Sequence, residues 1–483
     1  MRETGILLHI SSLPSKYGIG TLGEEAYKFV DFLKTTNQQY WQVLPIGPTS
    51  YGDSPYQTFS AFAGNPYFID LEILKNEGLL TEDDLKGIII TTDDFVDYEW
   101  LYKTRFIILK KAYKSFVQDK AFNKFIKEND FWIKDYALFM TIKYMMPEGN
   151  WKSWDERYHK RNSAEVLAVE KNNQSELLFW YFIQYMFFKQ WNNLKEYANK
   201  NGIKLIGDMP IYVAYDSSDV WSDPKFWLLD EDLNPKAVAG VPPDSFSETG
   251  QLWGNPLYNF DLMKQDGYSW WIKRIKEAFK LFDVVRIDHF RGFESFYSIP
   301  YTDTTAINGK WIKGPGIELF HKIKDELGDL DIIAEDLGFL TEEVHQLLAD
   351  SGFPGMKILQ FAFDFDMKNN YLPHNYLKNC IAYTGTHDNM TLKQWVDSLN
   401  EKEYQYVCDY IKLSNNQNII EKLIKVMIES CANRVIIPLA DYLELGKEGR
   451  FNTPSTLGGN WTWRINSSQI NEGLVEKINK FKK

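Results

Sequence analysis

Short apolar runs that end in a polar or charged residue recur along the chain. They are rich in β-branched residues, and many are separated by stretches with helical periodicity, such as the stripe Ala26, Phe29, Val30 and Leu33. Strands of a parallel sheet have this composition because helices cover both faces. The runs are residues 5–10, 40–46, 203–208, 283–288, 331–336, 356–363, 380–388 and 433–441. Eight strands that alternate with helices predict an α/β fold, a (β/α)₈ or TIM barrel.

Two intervals are too long for ordinary connections between barrel elements. The helix-rich residues 75–173 predict an inserted subdomain that ends before an aromatic helix at about residues 176–201. This divides the chain into residues 1–74, with the first two strands and an active-site loop, the insert, and residues 174–483, with the remaining barrel. Residues 211–268, rich in Pro, Gly, Asp and Trp, predict loops over the barrel mouth. No separate C-terminal β-domain is expected.

Composition narrows the functional classes. The 483 residues carry a net charge of -12, which disfavours nucleic acid and anionic membranes as partners. The three cysteines have no disulfide or zinc-site spacing, and the early apolar run is shorter than a signal peptide requires, so we expect a cytoplasmic protein. Aromatic residues make up 16% of the chain, which indicates a large aromatic core or a cleft lined with flat rings that suit sugars.

Carboxylates follow several predicted strands at their C-terminal ends. Asp208, Asp288, Glu335 and Asp388 end four different runs, and the strand ends of a TIM barrel meet at one mouth. A single such residue is more often a helix cap or part of a surface ion pair. Four of them at the ends of strands in one barrel indicate a reactive site.

Two kinds of chemistry fit a group of carboxyls around one cavity, namely metal binding and glycoside chemistry. Arg286 lies on the same side of its strand as Asp288. A cation there opposes proton uptake by Asp288 and competes with a metal ion, so it favours a carboxylate nucleophile. The pKa of Asp288 is therefore expected to be low. The pKa of Glu335, which follows an apolar strand with no adjacent cation, is expected to be raised.

Two loops mix aromatic rings with small polar residues. The loop 49–68 carries Ser54 and Tyr56, and the loop 242–260 carries Asp244, Gln251 and Trp253. This mixture suits a ligand with many hydroxyl groups. The alternative is that each loop only packs against itself, as many compact surface loops do.

Several motifs resemble a known family. IGDMPIYV, RIDHFRGF, AEDLG and GTHDN, in this order, are similar to the four signature regions of the α-amylase clan. SYGDSPYQ and FSETGQLWGNPLY, with HISSLPS, GIGTLG and LGGNWTWR, narrow the resemblance to the amylomaltases, the 4-α-glucanotransferases of glycoside hydrolase family 77. The resemblance covers about residues 5–464 and no reactive position departs from it.

The resemblance implies a retaining transfer of α-1,4-glucan segments through a covalent intermediate. It implies Asp288 as nucleophile, Glu335 as general acid/base, and Asp388 as the carboxylate that stabilises the transition state. The residues that the resemblance and the two loops predict to contact substrate are Arg286, His387, Asp208, Tyr56, Ser54, Trp253, Gln251 and Asp244.

The partners expected from the resemblance are maltooligosaccharides, α-1,4-glucans derived from starch or glycogen, and glucose as acceptor. Neither a metal nor an organic cofactor is implied. Two alternatives stay open. One is an α-glucan hydrolase of the same clan, which shares the covalent intermediate, and the other is a catalytically silent glucan-binding protein.

Overall fold

A computed structural model describes residues 3–90, 94–244, 247–338, 340–456 and 458–481 of the chain, with the side chain of Tyr51 left out. The described residues form strands and helices that are numbered here in chain order. The strands are β1 (Glu3–Leu7), β2 (Tyr40–Gln42), β3 (Lys204–Met209), β4 (Ala237–Val241), β5 (Gln251–Pro256), β6 (Val284–Ile287), β7 (Ser295–Pro300), β8 (Lys310–Lys313), β9 (Ile332–Ala334), β10 (Gly355–Ile358), β11 (Cys380–Tyr383) and β12 (Arg434–Pro438).

Helices connect most of these strands. They are α1 (Glu24–Thr35), α2 (Leu71–Asn76), α3 (Glu82–Lys86), α4 (Tyr98–Ser115), α5 (Lys120–Glu128), α6 (Asp130–Met145), α7 (Ala164–Asn172), α8 (Gln174–Lys200), α9 (Ser218–Ser222), α10 (Phe260–Gln265), α11 (Ser269–Leu281), α12 (Ile317–Leu327), α13 (Glu342–Ser351), α14 (Leu392–Ser398), α15 (Glu401–Ile411), α16 (Ile419–Glu429), α17 (Leu439–Tyr442) and α18 (Glu472–Lys480). Within the described ranges, none of them has both the length and the apolar composition that a membrane crossing requires.

Eight parallel strands form the central barrel. Their order is β1, β2, β3, β6, β9, β10, β11 and β12, and β12 pairs with β1. The backbone N–H of Ala334 donates a 3.0 Å hydrogen bond to the carbonyl of Pro354, which connects β9 to the start of β10 and closes the ring. The prediction of a TIM barrel is confirmed. The C-terminal strand ends therefore point to one mouth.

Helix α1 packs its predicted apolar stripe against the outside of the barrel. Its apolar stripe Ala26, Phe29, Val30 and Leu33 is buried, as the helical spacing predicts. The Phe29 ring meets Trp41 of β2 edge to face, with centroids 4.9 Å apart. Aromatic residues thus join helix and strand layers in the core.

The interval between β2 and β3 contains α2 to α8. The aromatic helix expected near residues 176–201 is α8, whose Trp180, Phe187 and Trp191 are fully buried. It packs against α1 and β3 of the barrel and against α4, α5 and α6 of the interval. The division of the chain at residues 75–173 stays a prediction.

The interval 211–268 differs from the expected loops. It contains β4 and β5, which join β7 and β8 in an antiparallel sheet of order β5-β4-β7-β8. The sequence does not predict β4 and β5, because Gly240 and Gly254 interrupt the alternation of apolar and polar residues. In addition, β7, which pairs with β4, lies after the next barrel strand. The described residues after β12 form helices and irregular structure, and Trp463 makes an isolated antiparallel bridge with Phe95.

Candidate active site

Four barrel strands carry acidic residues to the same mouth. Asp208 is the next-to-last residue of β3, whereas Asp288 and Glu335 directly follow β6 and β9. Asp388 lies in the loop after β11. The pairing of β3 with β6 continues past the end of β6, where the backbone N–H of Asp288 donates a 3.0 Å hydrogen bond to the carbonyl of Met209.

Arg286 is the centre of a buried charge network. Its Nη1 lies 2.7 Å from both carboxylate oxygens of Asp208 and 3.0 Å from Oδ1 of Asp288. Asp208 and Arg286 are partners in the β3–β6 register, so the pairing of the strands places them side by side. The side chains of Arg286 and Asp208 are 4% and 0% exposed, whereas that of Asp288 is 27% exposed. Asp288 is the member of the network that opens to the cleft.

The pKa of Asp288 does not follow the expectation from the sequence. Burial raises the pKa of Asp288 to about 6, although Arg286 opposes this rise. The expectation of a low pKa is therefore wrong. The main physical reason is burial, and the charge of Asp208, which shares the guanidinium of Arg286, adds to the rise in the pKa of Asp288. The carboxyl is still mostly ionised at neutral pH.

Glu335 has the raised pKa that the sequence predicts. Burial raises the pKa of Glu335 to about 8, and the charge of Asp288 adds to this rise. Two backbone N–H groups hold the carboxyl, from His289 to Oε2 at 2.6 Å and from Leu337 to Oε1 at 3.0 Å. The left-handed backbone of His289, with φ +52°, accompanies this arrangement at the turn after Asp288.

Asp388 lies between two polar side chains. Nε2 of His387 is 3.2 Å from Oδ2, and Nδ2 of Asn452 donates to Oδ1 at 2.6 Å. Burial favours the protonated acid, but His387 and Asn452 outweigh it and lower the pKa of Asp388 to about 2. Burial likewise opposes the charge on His387, whereas Asp388 raises the pKa of this imidazole. Asp388 is thus an ionised group that faces the cleft, with 45% of its side chain exposed.

Tyr56 brings its loop into contact with two strand ends. Its hydroxyl donates to Oδ2 of Asp208 at 2.7 Å, and its ring stacks on His387 with centroids 5.0 Å apart. Ser54 accepts a hydrogen bond from the backbone N–H of Tyr56 at 3.2 Å, which is a contact within the loop. The loop after β2 is therefore part of the site through Tyr56.

Trp253 reaches the site from β5. Its ring meets His289 edge to face, with centroids 4.9 Å apart, and its Nε1 donates to Oε1 of Gln251 at 3.1 Å. Asp244 accepts a hydrogen bond from the backbone N–H of Ser247 at 2.8 Å. The ring contact places Trp253 next to the turn that follows Asp288.

Sequence reasoning missed residues that support the carboxylates. Asn452 and Arg450 follow α17, and Arg450 donates to the backbone carbonyl of Asp388 at 3.1 Å. Asp441, in α17 directly after β12, accepts hydrogen bonds from the hydroxyl of Thr384 at 2.6 Å and from the N–H of Leu392 at 2.7 Å. The acidic end of the eighth run was a signal for Asp441, whereas nothing in the local sequence marks Asn452.

Metal binding has no support in the described ranges, where no group of three or more His, Cys, Asp and Glu side chains is placed to hold an ion. The arrangement instead offers a mostly ionised carboxylate, a mostly protonated carboxylic acid and a third, firmly ionised carboxylate. This set matches the acid and nucleophile that glycoside chemistry requires.

Comparison with known proteins agrees with this chemistry. A family model described as 4-alpha-glucanotransferase matches residues 8–469. The 4-alpha-glucanotransferase of Clostridium butyricum is 50% identical over 476 residues, which cover 98% of this chain and 98% of the relative. The 4-alpha-glucanotransferase of Streptococcus pneumoniae serotype 4 is 47% identical over 483 residues, 99% of this chain and 96% of the relative.

Similarity extends to the three-dimensional structure. The amylomaltase from Streptococcus agalactiae, solved in complex with acarbose, superposes with a TM-score of 0.97 at 43% sequence identity. The match covers 100% of this chain and 98% of that chain.

Proposed function

The chain belongs to the 4-alpha-glucanotransferase family, glycoside hydrolase family 77, and on this premise we propose that it transfers segments of α-1,4-glucans. The acceptor is the 4-hydroxyl group of glucose or of a maltooligosaccharide. The donors are maltooligosaccharides and α-1,4-glucan chains derived from starch or glycogen. The acarbose bound by the structural relative supports a site for glucose-like rings.

The observation that carries the proposal is the pair of unlike carboxyls beside Arg286. Burial raises the pKa of Glu335 to about 8 and that of Asp288 to about 6. Near neutral pH the first is mostly a proton donor and the second mostly an ionised nucleophile. Retaining glycoside chemistry needs this division of roles.

The proposed reaction has two displacements. In the first, Glu335 gives its proton to the glycosidic oxygen while a carboxylate oxygen of Asp288 attacks the anomeric carbon. The bond to the leaving sugar breaks, and a glycosyl ester of Asp288 forms. In the second, the acceptor 4-hydroxyl gives its proton to Glu335 and attacks the same carbon, which releases Asp288. The two inversions restore the α-configuration.

The neighbouring polar groups have supporting roles in this proposal. Asp388 accepts hydrogen bonds from hydroxyls of the reacting sugar, because it stays ionised and faces the cleft. His387 donates to another hydroxyl of that sugar. Arg286 and Asp208 hold Asp288 in line with the anomeric carbon through the 3.0 Å contact of Arg286.

The two aromatic loops are proposed to cover the bound chain. Tyr56 and Trp253 would stack on glucose rings, while Ser54, Gln251 and Asp244 would bind sugar hydroxyls. A covered intermediate is less accessible to water, and this favours transfer over hydrolysis.

The decisive experiment uses pure maltotriose and follows both the product ladder and the total reducing ends. Transfer makes glucose and longer maltooligosaccharides at a constant number of reducing ends. Reducing ends that rise with every event, without a ladder, would identify an α-glucan hydrolase instead. Binding of maltotriose without any turnover would identify the non-catalytic glucan-binding protein.

The roles of the two carboxyls can be separated with azide and an activated donor, α-maltosyl fluoride. Asp288→Ala with azide should give the β-azide, because azide replaces the nucleophile. Glu335→Ala should give the α-azide, because azide resolves the ester on Asp288 from the acceptor side. Glu342→Ala, an exposed glutamate on α13, is the control and should keep the activity of the parent protein. Identical azide products from both variants would contradict the assignment.

We propose two further features. The three cysteines Cys380, Cys408 and Cys431 are all unpaired, which supports the reducing environment of the cytoplasm. The helices that connect β2 to β3 support residues 75–173 as an inserted subdomain between residues 1–74 and 174–483. Neither nucleic acid nor a membrane has a role in the proposed function.

A further inference from the structure

An aromatic surface lies on the segment that follows β10. Phe365 is 56% exposed, and its ring rests on Tyr406 of α15 with centroids 4.9 Å apart and planes inclined by 36°. Asp364 and Asp366 flank Phe365 in sequence, and both carboxylates act electrostatically on Tyr406. We call these four residues the Phe365 platform.

The backbone at Phe365 indicates that its exposure has a use. Its φ is +68°, in the left-handed region that disfavours residues with a Cβ. Such a conformation costs conformational free energy, and here it presents a large apolar ring to solvent instead of burying it. Glycine or asparagine would satisfy the turn at lower cost.

The platform is connected to the candidate active site. Its segment leaves β10 at the barrel mouth, next to β9, which precedes Glu335. Nε2 of Gln360, at the base of the segment, donates to the carbonyl of Met390 at 2.8 Å, close behind Asp388. Phe363, two residues before Phe365, packs on Trp395 of α14 with ring centroids 5.6 Å apart. This contact joins the segment of the platform to the helix that follows the Asp388 loop.

The chemistry of the platform fits a neutral polyhydroxyl chain. Flat rings can pack against the apolar C–H faces of sugars, and carboxylates accept hydrogen bonds from their hydroxyls. Asp364 and Asp366 are both exposed, and one oxygen of each accepts a backbone N–H of the same segment, from Asp366 at 3.0 Å and from Lys368 at 2.9 Å.

We propose that the Phe365 platform binds a remote part of a long α-1,4-glucan whose reacting bond lies at the barrel mouth. This inference rests on the proposed function and extends it, because it predicts a preference for long chains over maltotriose. The platform would raise the local concentration of polymer at the cleft, as a second linked contact does in any multivalent ligand.

Kinetics on two substrates test the platform. We compare the parent protein with Phe365→Gly, which suits the left-handed backbone, and with Phe365→Trp, which keeps a ring. For Phe365→Gly we expect the KM for amylose, with glucose as acceptor, to rise about two- to ten-fold relative to the KM for maltotriose. For Phe365→Trp, the ratio of the KM for amylose to the KM for maltotriose should stay close to that of the parent protein. Tyr404→Ala removes another exposed ring of α15 and is the matched control.

Binding without turnover separates this inference from the proposed function. In an Asp288→Asn background, mobility is measured in native gels that contain soluble amylose or glycogen. Phe365→Gly should be retarded less than its background, at low and at high salt, because the ligand is neutral. The inference is wrong if Phe365→Gly and its background show equal retardation, or if Tyr404→Ala has the same effect. Failure of the parent protein to disproportionate maltotriose would instead remove the proposed function.

Discussion

The backbone N–H of His289 donates a 2.6 Å hydrogen bond to Oε2 of Glu335. Hydrogen bonds to a carboxylate stabilise its charge and lower its pKa. Here burial outweighs them and raises the pKa of Glu335 to about 8. The turn that follows the nucleophile candidate Asp288 therefore fixes the acid in place, and the acid still carries its proton at neutral pH.

The pH dependence of kcat/KM on maltotriose should be bell-shaped. Activity should fall as the pH drops through about 6, because Asp288 gains a proton and cannot attack. It should fall again as the pH rises through about 8, because Glu335 loses the proton that it must donate. Initial rates from about pH 5 to about pH 9, with far-UV circular dichroism as a control for folding, test this expectation. A rate that still rises at the alkaline end would contradict the assignment of Glu335.

Replacement of Asn452 should weaken catalysis through Asp388. Asn452→Ala removes the 2.6 Å donor to Oδ1 of Asp388, and a hydrogen bond to a charged group contributes about 1.5 to 3 kcal/mol. We expect kcat/KM on maltotriose to fall about 10- to 100-fold. Asn452→Asp should lower it further near neutral pH, because a second negative charge would face Asp388.

The control for this prediction is Asn433→Ala, an exposed asparagine just before β12. It should leave both the melting temperature and kcat/KM within error of the parent protein. Equal activity of Asn452→Ala and Asn433→Ala would show that Asp388 does not depend on this donor.

Loss of the Trp253 ring should increase hydrolysis relative to transfer. Trp253 packs on His289 at the edge of the cleft, with ring centroids 4.9 Å apart. Without the ring, water reaches the intermediate more easily, so Trp253→Ala should increase the share of events that create a reducing end by several-fold. Trp253→Phe should change this ratio less. Trp311→Ala, on β8 of the same sheet, is the control, and a constant ratio in Trp253→Ala would exclude a covering role.

The stability contribution of Asp441 should depend on pH. Burial raises the pKa of Asp441 to about 6, above the ordinary value of 3.8. The folded state therefore binds the proton more tightly, and the stability that this gives at low pH is lost as the pH rises through about 6. Asp441→Asn does not titrate. Between about pH 5 and about pH 8, the parent protein should therefore lose about 1 to 1.5 kcal/mol of unfolding free energy relative to Asp441→Asn.

Urea unfolding at both pH values measures this shift. Asp397→Asn, an exposed residue of α14, should show no such dependence. An unchanged difference between Asp441→Asn and the parent protein would mean that Asp441 keeps its charge across this range.

The barrel could be predicted because its signals are local. Each parallel strand is short and β-branched, and α1 carries its apolar stripe at helical spacing. The antiparallel sheet could not be predicted in the same way. Its strand β4 pairs with β7 across the barrel strand β6, and glycines in β4 and β5 interrupt the alternation that marks a strand.

The sequence by itself determined which residue types end the barrel strands, and hence that Asp208, Asp288 and Glu335 face one mouth. Only the tertiary structure decided their charge states. Burial and the sharing of Arg286 with Asp208 reverse the expected shift of Asp288. The donor Asn452 reaches Asp388 from 64 positions away. Such effects depend on distances between elements and on the exclusion of water, and neither can be predicted from neighbouring residues in the sequence.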